Sequence, residues 1–209
     1  MKNKILLIAS ILALIGCQTT PIAPTGSFQK GKWETMAQIN ELKPKKTHRV
    51  SIDILAVKNE KMRMEITATL GYRVASILLD REGYKAAIYP QKKFYQGTDE
   101  NAFAQVSKLP ISSRALFSIV FDEPIVGPGW ACGKETATLP KKCVQASSRI
   151  QVEWFKKPNG AKLVKVTSPK VEMNWFFQNP DVNFAEKPEL FNLNVPEGYQ
   201  VIGAESQVQ

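Results

Sequence analysis

From Trp33 onward the chain alternates apolar and polar positions with a period of two, the pattern of strands that bury one face. Trp33, Thr35, Ala37 and Ile39 alternate with Glu34, Met36, Gln38 and Asn40, and Val50, Ile52, Ile54 and Ala56 form the next run. Between them Lys43-Pro44-Lys45-Lys46 reads as a basic turn. After a tight turn at Asn59-Glu60, the cleanest alternation follows: Met62, Met64, Ile66, Ala68 and Leu70 against Arg63, Glu65, Thr67 and Thr69. Leu70-Gly71-Tyr72 separates this strand from one over 73–80. Glu82-Gly83 turns into 84–89, and 92–96 completes an antiparallel meander.

The period then changes. Thr98-Asp99-Glu100 offers a capping hydroxyl and acidic residues for a helix start. Phe103, Val106 and Leu109 give that helix a thin apolar stripe, and Pro110 stops it. Ser112 or Ser113 caps a second helix, with Leu116, Ile119 and Val120 on one face and Asp122-Glu123-Pro124 at its end. Strand patterns resume at Ile150, Val152 and Trp154. Asn159-Gly160 predicts a hairpin turn into 163–167. Ser168-Pro169 turns into Val171, Met173, Trp175 and Phe177, and Phe191, Leu193 and Val195 predict a last strand. The fold class is mostly β, with two helices inserted mid-sheet and no internal repeat or second domain.

The first segment has another character. Lys2 and Lys4 precede an apolar run over 5–15, interrupted only by Ser10 and too short to span a bilayer as a helix. This is the pattern of a secretory signal peptide. Leu14-Ile15-Gly16-Cys17 resembles the bacterial lipobox, which implies a signal over 1–16, cleavage before Cys17 and acylation of that cysteine. The alternative is an N-terminal membrane anchor with an incidental cysteine. Gln18 after the cysteine implies sorting to the outer membrane in a Gram-negative cell, where Asp at that place is the usual retention signal. Residues 17–31, rich in Pro, Thr and Gly, read as a lipidated tether, with the folded domain over 32–209.

Composition narrows the chemistry. The 209 residues are 44% hydrophobic and 22% charged, the balance of a globular protein rather than a disordered chain or a multi-span membrane protein. One His and no Cys-x-x-Cys leave almost nothing for a zinc site, and no metal or other cofactor is expected. His48 beside a basic turn reads as a solvated surface residue, Ser112-Ser113 as caps, and Asp53 and Glu65 as dispersed outward carboxylates, so no catalytic constellation emerges and an enzyme is not expected. Cys132 and Cys143 flank a small polar loop; in an exported protein a disulfide is expected, with two free thiols as the alternative. The net charge of +9 falls to +7 once Lys2 and Lys4 are removed. For an exported protein this basic balance suits anionic lipid head groups rather than nucleic acid, or else only a basic surface.

Strands, two mid-sheet helices and further strands on a lipidated tether resemble the LolA/LolB superfamily. Lys108-Leu109-Pro110-Ile111-Ser112-Ser113-Arg114-Ala115-Leu116 resembles the lid segment of the LolB branch, and Thr69-Leu70-Gly71 resembles the loop that presents an exposed Leu there. Phe191-x-Leu193-x-Val195-Pro196-x-Gly198-Tyr199 is more similar to the ending of the LolA branch. The N-terminal helix of that family is missing from the pattern here, and the Cys132–Cys143 loop is additional. The resemblance implies a curved, unclosed antiparallel half-barrel whose apolar concave face shelters acyl chains under lid residues Phe103, Val106, Leu116 and Ile119. It implies a cavity built from Trp33, Ile52, Ile54, Met62, Met64, Ile66, Trp154, Met173, Trp175 and Phe191, although the same residues would serve a plain hydrophobic core. Leu70 would be a membrane wedge, or else a buried strand end. The implied function is that of a monomeric outer-membrane receptor, lipid-anchored on the periplasmic face. It would take acylated lipoproteins from a periplasmic LolA-like carrier and insert them into outer-membrane lipid. The alternative is a lipid-anchored amphiphile-binding or interaction module that transfers nothing.

Overall fold

The computed structural model describes residues 28–98, 111–134, 140–157 and 159–203. They form one twelve-stranded sheet. Six strands make the first meander: β1 (Lys30–Leu42), β2 (Lys45–Val57), β3 (Lys61–Ala68), β4 (Arg73–Leu79), β5 (Tyr84–Ile88) and β6 (Lys93–Gly97). One helix, α1 (Ser113–Val120), follows. Then come β7 (Trp130–Lys134), β8 (Pro140–Gln145), β9 (Ile150–Lys156), β10 (Lys162–Thr167), β11 (Val171–Phe177) and β12 (Gln200–Gly203). The spatial order is β12-β6-β5-β4-β3-β2-β1-β11-β10-β9-β8-β7, so β12 and β7 are free edges and the sheet does not close.

The period of two does what it predicts. Trp33, Ile52, Ile54, Met62, Met64 and Ile66 are buried on one face of β1 to β3, and Val152, Trp154, Val164, Met173 and Trp175 continue that face across β9 to β11. Partner registers align them, as in Trp33 opposite Ile54 and Ile54 opposite Met64. Two tight turns need positive φ. Gly71 at +82° lets β3 fold back into β4, and Gly83 packs against the Gly97 carbonyl, where a side chain would have no room.

Helix α1 lies across one end of the concave face. Ser112 is its N-cap, its Oγ accepting from the Ala115 amide at 3.2 Å. Leu116, Ile119 and Val120 are fully buried in the core, and the Phe121 ring meets Trp33 edge-on at 5.4 Å. The helix C-terminus has an unusual cap. Lys162, an inward residue of β10, donates from Nζ to the carbonyls of Ile119 (2.9 Å) and Val120 (2.8 Å) and to Asp122 Oδ1 (2.6 Å). A cation there complements the negative helix end. Burial pulls the Lys162 pKa below the ordinary lysine value, and Asp122 opposes that shift. Lys156 Nζ lies 3.0 Å from Asp122 Oδ2 but off the hydrogen-bonding direction, so its part is charge alone.

The expected helix before Pro110, with Phe103 and Val106, lies outside the described residues. Cys132 and Cys143 stand on paired strands, β7 and β8, directly opposite each other and joined as a disulfide. No strand forms at Phe191, Leu193 and Val195: residues 188–191 make a 3-10 turn, and the chain beyond is extended but unpaired. That segment packs on the convex face, where Leu193 and Phe191 join Leu78, Ala87 and Phe94 in a second small cluster, and Arg63 donates to the carbonyls of Leu190 and Asn192. The last strand is β12, and it runs parallel to β6, unlike every other pair in the sheet.

Lys162→Met is expected to lower the unfolding free energy by about 3 kcal/mol, the low end for breaking a buried ion pair because Lys156 stays near Asp122. Urea denaturation measures it.

Candidate functional site

The two ends of the concave face differ. At the end reached by the 58–60 and 80–83 turns, α1, Phe121 and Phe28 fill the space above Trp33. Trp175, opposite Ala37 midway along β1, donates from Nε1 to Thr35 Oγ1 at 2.8 Å while Thr35 donates to the Ile52 carbonyl at 2.7 Å. At the opposite end, near the β1–β2 and β3–β4 turns, the apolar face bounds a half-open cavity of about 710 Å³. Ile39, Val50 and Ile52 form one wall, Ile66, Ala68, Val74, Ala75 and Ile88 another, and Met173 lies on the β11 side. Thr47, His48, Arg49 and Gln91 are polar groups of the lining, with Leu70 and Tyr72 on the turn beside them.

The predicted cavity residues divide accordingly. Ile52, Ile66 and Met173 line the cavity. Trp33, Ile54, Met62, Met64, Trp154 and Trp175 belong to the same buried cluster but do not border the cavity. Phe191 is a correction: it sits in the cluster on the opposite face of the sheet, because its segment straps the convex side. Of the lid residues, Leu116 and Ile119 are buried in that same core, and Cys17 lies outside the described residues. Leu70 is 82% exposed rather than a buried strand end, and Tyr72, which the pattern did not single out, is 70% exposed beside it. Two exposed apolar side chains on one tight turn, at the edge of an apolar cavity, form a contact surface rather than a core.

Sequence reasoning missed Ile39, Val50, Ala68, Val74, Ala75 and Ile88. Their signal was available, since Ile39, Val50 and Ala68 continue the same inward alternation. What it lacked was the position along each strand at which α1 ceases to cover the face.

Among the polar groups near the cavity, His48 Nε2 is 3.6 Å from Glu41 Oε1, the imidazole exposed and the carboxylate half-buried. Among the described residues no three His, Cys, Asp or Glu side chains come together as a metal site. On the convex face Arg63, Glu65, Ser76 and Tyr89 join in a hydrogen-bonded cluster beside the C-terminal segment that Arg63 holds. The arrangement offers apolar volume and a mouth, which is the chemistry of binding a greasy chain.

No protein-family model matches this sequence, and no curated protein matches it. Solved structures do. A domain from Vibrio parahaemolyticus, named for a proposed role in outer-membrane lipoprotein sorting, aligns with a TM-score of 0.54 at 7% identity over 80% of this chain and 91% of its own. A DUF1329 family protein from Desulfovibrio piger aligns with a TM-score of 0.53 at 11% identity over 79% of this chain and 90% of its own. At such identities the likeness is one of fold. The unclosed, strongly bent antiparallel sheet is what this chain shares with them.

The contrast between the two ends is measurable. Met64→Ala, in the packed end, is expected to cost about 2–5 kcal/mol of stability. Val50→Ala, on the half-buried cavity wall, is expected to cost under about 1 kcal/mol, because little packing is lost there. Denaturant titration of both variants checks the difference.

Proposed function

We propose that the protein binds acyl chains in the cavity beneath Ile39, Val50, Ile66 and Ala68, and serves as a lipoprotein receptor at the outer membrane. Anchored through Cys17 on the periplasmic face, it would accept an acylated lipoprotein from a LolA-like carrier and release it into the bilayer beside Leu70. The observation that carries this reading is the half-open apolar cavity of about 710 Å³ in an unclosed sheet, with an 82% exposed leucine at its edge. The fold likeness to a domain named for lipoprotein sorting supports it. No enzymatic step is part of the proposal.

Volume favours a narrower second reading. A methylene takes roughly the space of a water, about 30 Å³, so a 16-carbon chain needs about 480 Å³. The cavity accommodates one such chain, whereas the three chains of a triacylated lipoprotein need about twice the volume. Either α1 and its neighbours yield when a triacyl cargo enters, or the natural ligand is a single-chain amphiphile that is not handed on.

Two experiments separate these readings. Native mass spectrometry of the protein taken from membranes is expected to show bound lipid, and Ala68→Trp is expected to reduce its occupancy at least fivefold without unfolding the sheet. Absence of lipid from the parent protein rejects both readings. Leu70→Glu is expected to preserve occupancy and leave lipoproteins undelivered in the periplasm; unchanged delivery removes the receptor role and retains the binding role.

A further inference from the structure

Exposed cations without a carboxylate partner occur at both ends of the sheet and cluster at one. At the α1 end Lys58 pairs with Glu123 at 2.6 Å, Lys61 with Glu186 at 2.5 Å and Arg81 with Glu60 at 3.5 Å, while Lys32 and Lys157 are exposed with no such partner among the described residues. The larger group stands at the cavity end. The β1–β2 hairpin exposes Lys43, Lys45 and Lys46, the β5–β6 turn exposes Lys92, and the β10–β11 turn exposes Lys170. None of these five has a carboxylate within ion-pair distance among the described residues. Arg73, just after the Leu70 turn, is also exposed and rests over the Tyr89 ring at 5.6 Å. The acidic groups nearby are few. Glu41 is half-buried beside His48, and Glu197 is exposed near Tyr199.

These cations share their end of the sheet with the exposed side chains of Leu70 and Tyr72 and with the cavity mouth. Unpaired surface cations around a protruding Leu–Tyr pair complement a surface that is anionic outside and apolar beneath. A leucine suits the acyl region, and a tyrosine suits the boundary between water and hydrocarbon. The bent sheet thus points its cavity, its apolar turn and its unmatched charge the same way.

We propose that the turns at the cavity end form a docking surface for an anionic lipid leaflet, in which Lys43, Lys45, Lys46, Arg73, Lys92 and Lys170 engage head groups and seat Leu70 and Tyr72 at the membrane boundary. Each basic side chain near such a surface strengthens binding about fivefold at moderate salt. The proposal goes beyond acyl-chain binding, since the rim recognises head groups whether or not the cavity is occupied.

The test uses the full chain reconstituted in vesicles, with an environment-sensitive fluorophore on Thr69→Cys and the parent chain as labelling control. Vesicles of phosphatidylcholine with one-third phosphatidylglycerol are expected to blue-shift the label, and phosphatidylcholine alone is not. Lys43→Gln/Lys45→Gln/Lys46→Gln is expected to remove at least two-thirds of the shift at that phosphatidylglycerol fraction, and 0.5 M salt is expected to abolish it. These lysines are exposed and unpaired, so circular dichroism of the variant should match the parent. An equal shift on neutral vesicles, or no shift on anionic ones, overturns the proposal; in the second case an acidic protein face is the better partner for the rim. Lipid occupancy by native mass spectrometry is read on the same samples, so an empty cavity with an intact shift rejects acyl binding and leaves docking standing.

Discussion

One constraint governs this molecule: a bent sheet with a continuous apolar face must cover that face or leave a cavity. The 13 residues of β1 extend about 40 Å at 3.3 Å per residue. The 8 residues of α1 extend about 12 Å, with a diameter of about 10 Å. Among the described elements, α1 is the one that crosses the concave side, and it covers only one end. There Trp33, Met62 and Met64 pack as a core. Ile39, Val50, Ala68 and Ile88 carry the same kind of surface beyond its reach, and they bound the cavity. Core and cavity therefore come from one pattern, divided by the length of one helix.

What fixes the helix at that end is polar as well as apolar. Lys162 is buried and hydrogen-bonded to two helix carbonyls and to Asp122. Desolvating such a cation is expensive, and replacing it together with its carboxylate by well-packed apolar residues would often be at least as stabilising. Its geometric demand is stricter, however. An apolar contact tolerates sliding, whereas three donors aimed at three acceptors specify one position for the helix end. Displacing α1 over the face would strand the charge, so the open end stays open unless the ion pair is broken.

The sequence made the sheet legible because alternation reports burial directly. Trp33 to Ile39 and Met62 to Ala68 needed no tertiary information. The site was less legible for three physical reasons. Met64 and Ile66 share a face and a strand, yet one is core and one is cavity wall; the difference lies in where a distant helix ends. Phe191 and Leu193 alternate as a strand would, but apolar alternation also suits an extended strap, and these two pack on the convex face. Leu70 terminates a perfect alternation and could have been buried; the Gly71 turn swings it into solvent. Strands β7 and β8 escaped notice because their pattern is weak and a disulfide, rather than an apolar face, joins them.

Connectivity adds a further constraint on how the cavity meets a membrane. The start of β1 pairs with the end of β2 at the α1 end, far from the cavity mouth. Cys17 lies 13 residues before Lys30, a reach of about 43 Å when fully stretched. That nearly equals the length of β1. For a domain held through Cys17, a slack tether turns the mouth away from the anchoring membrane, and a tether drawn along the barrel lets the mouth reach it. Stretching costs chain entropy, so contact between mouth and membrane must supply its own attraction. The unmatched cations clustered around the exposed Leu70 and Tyr72 stand at the end where that attraction is needed.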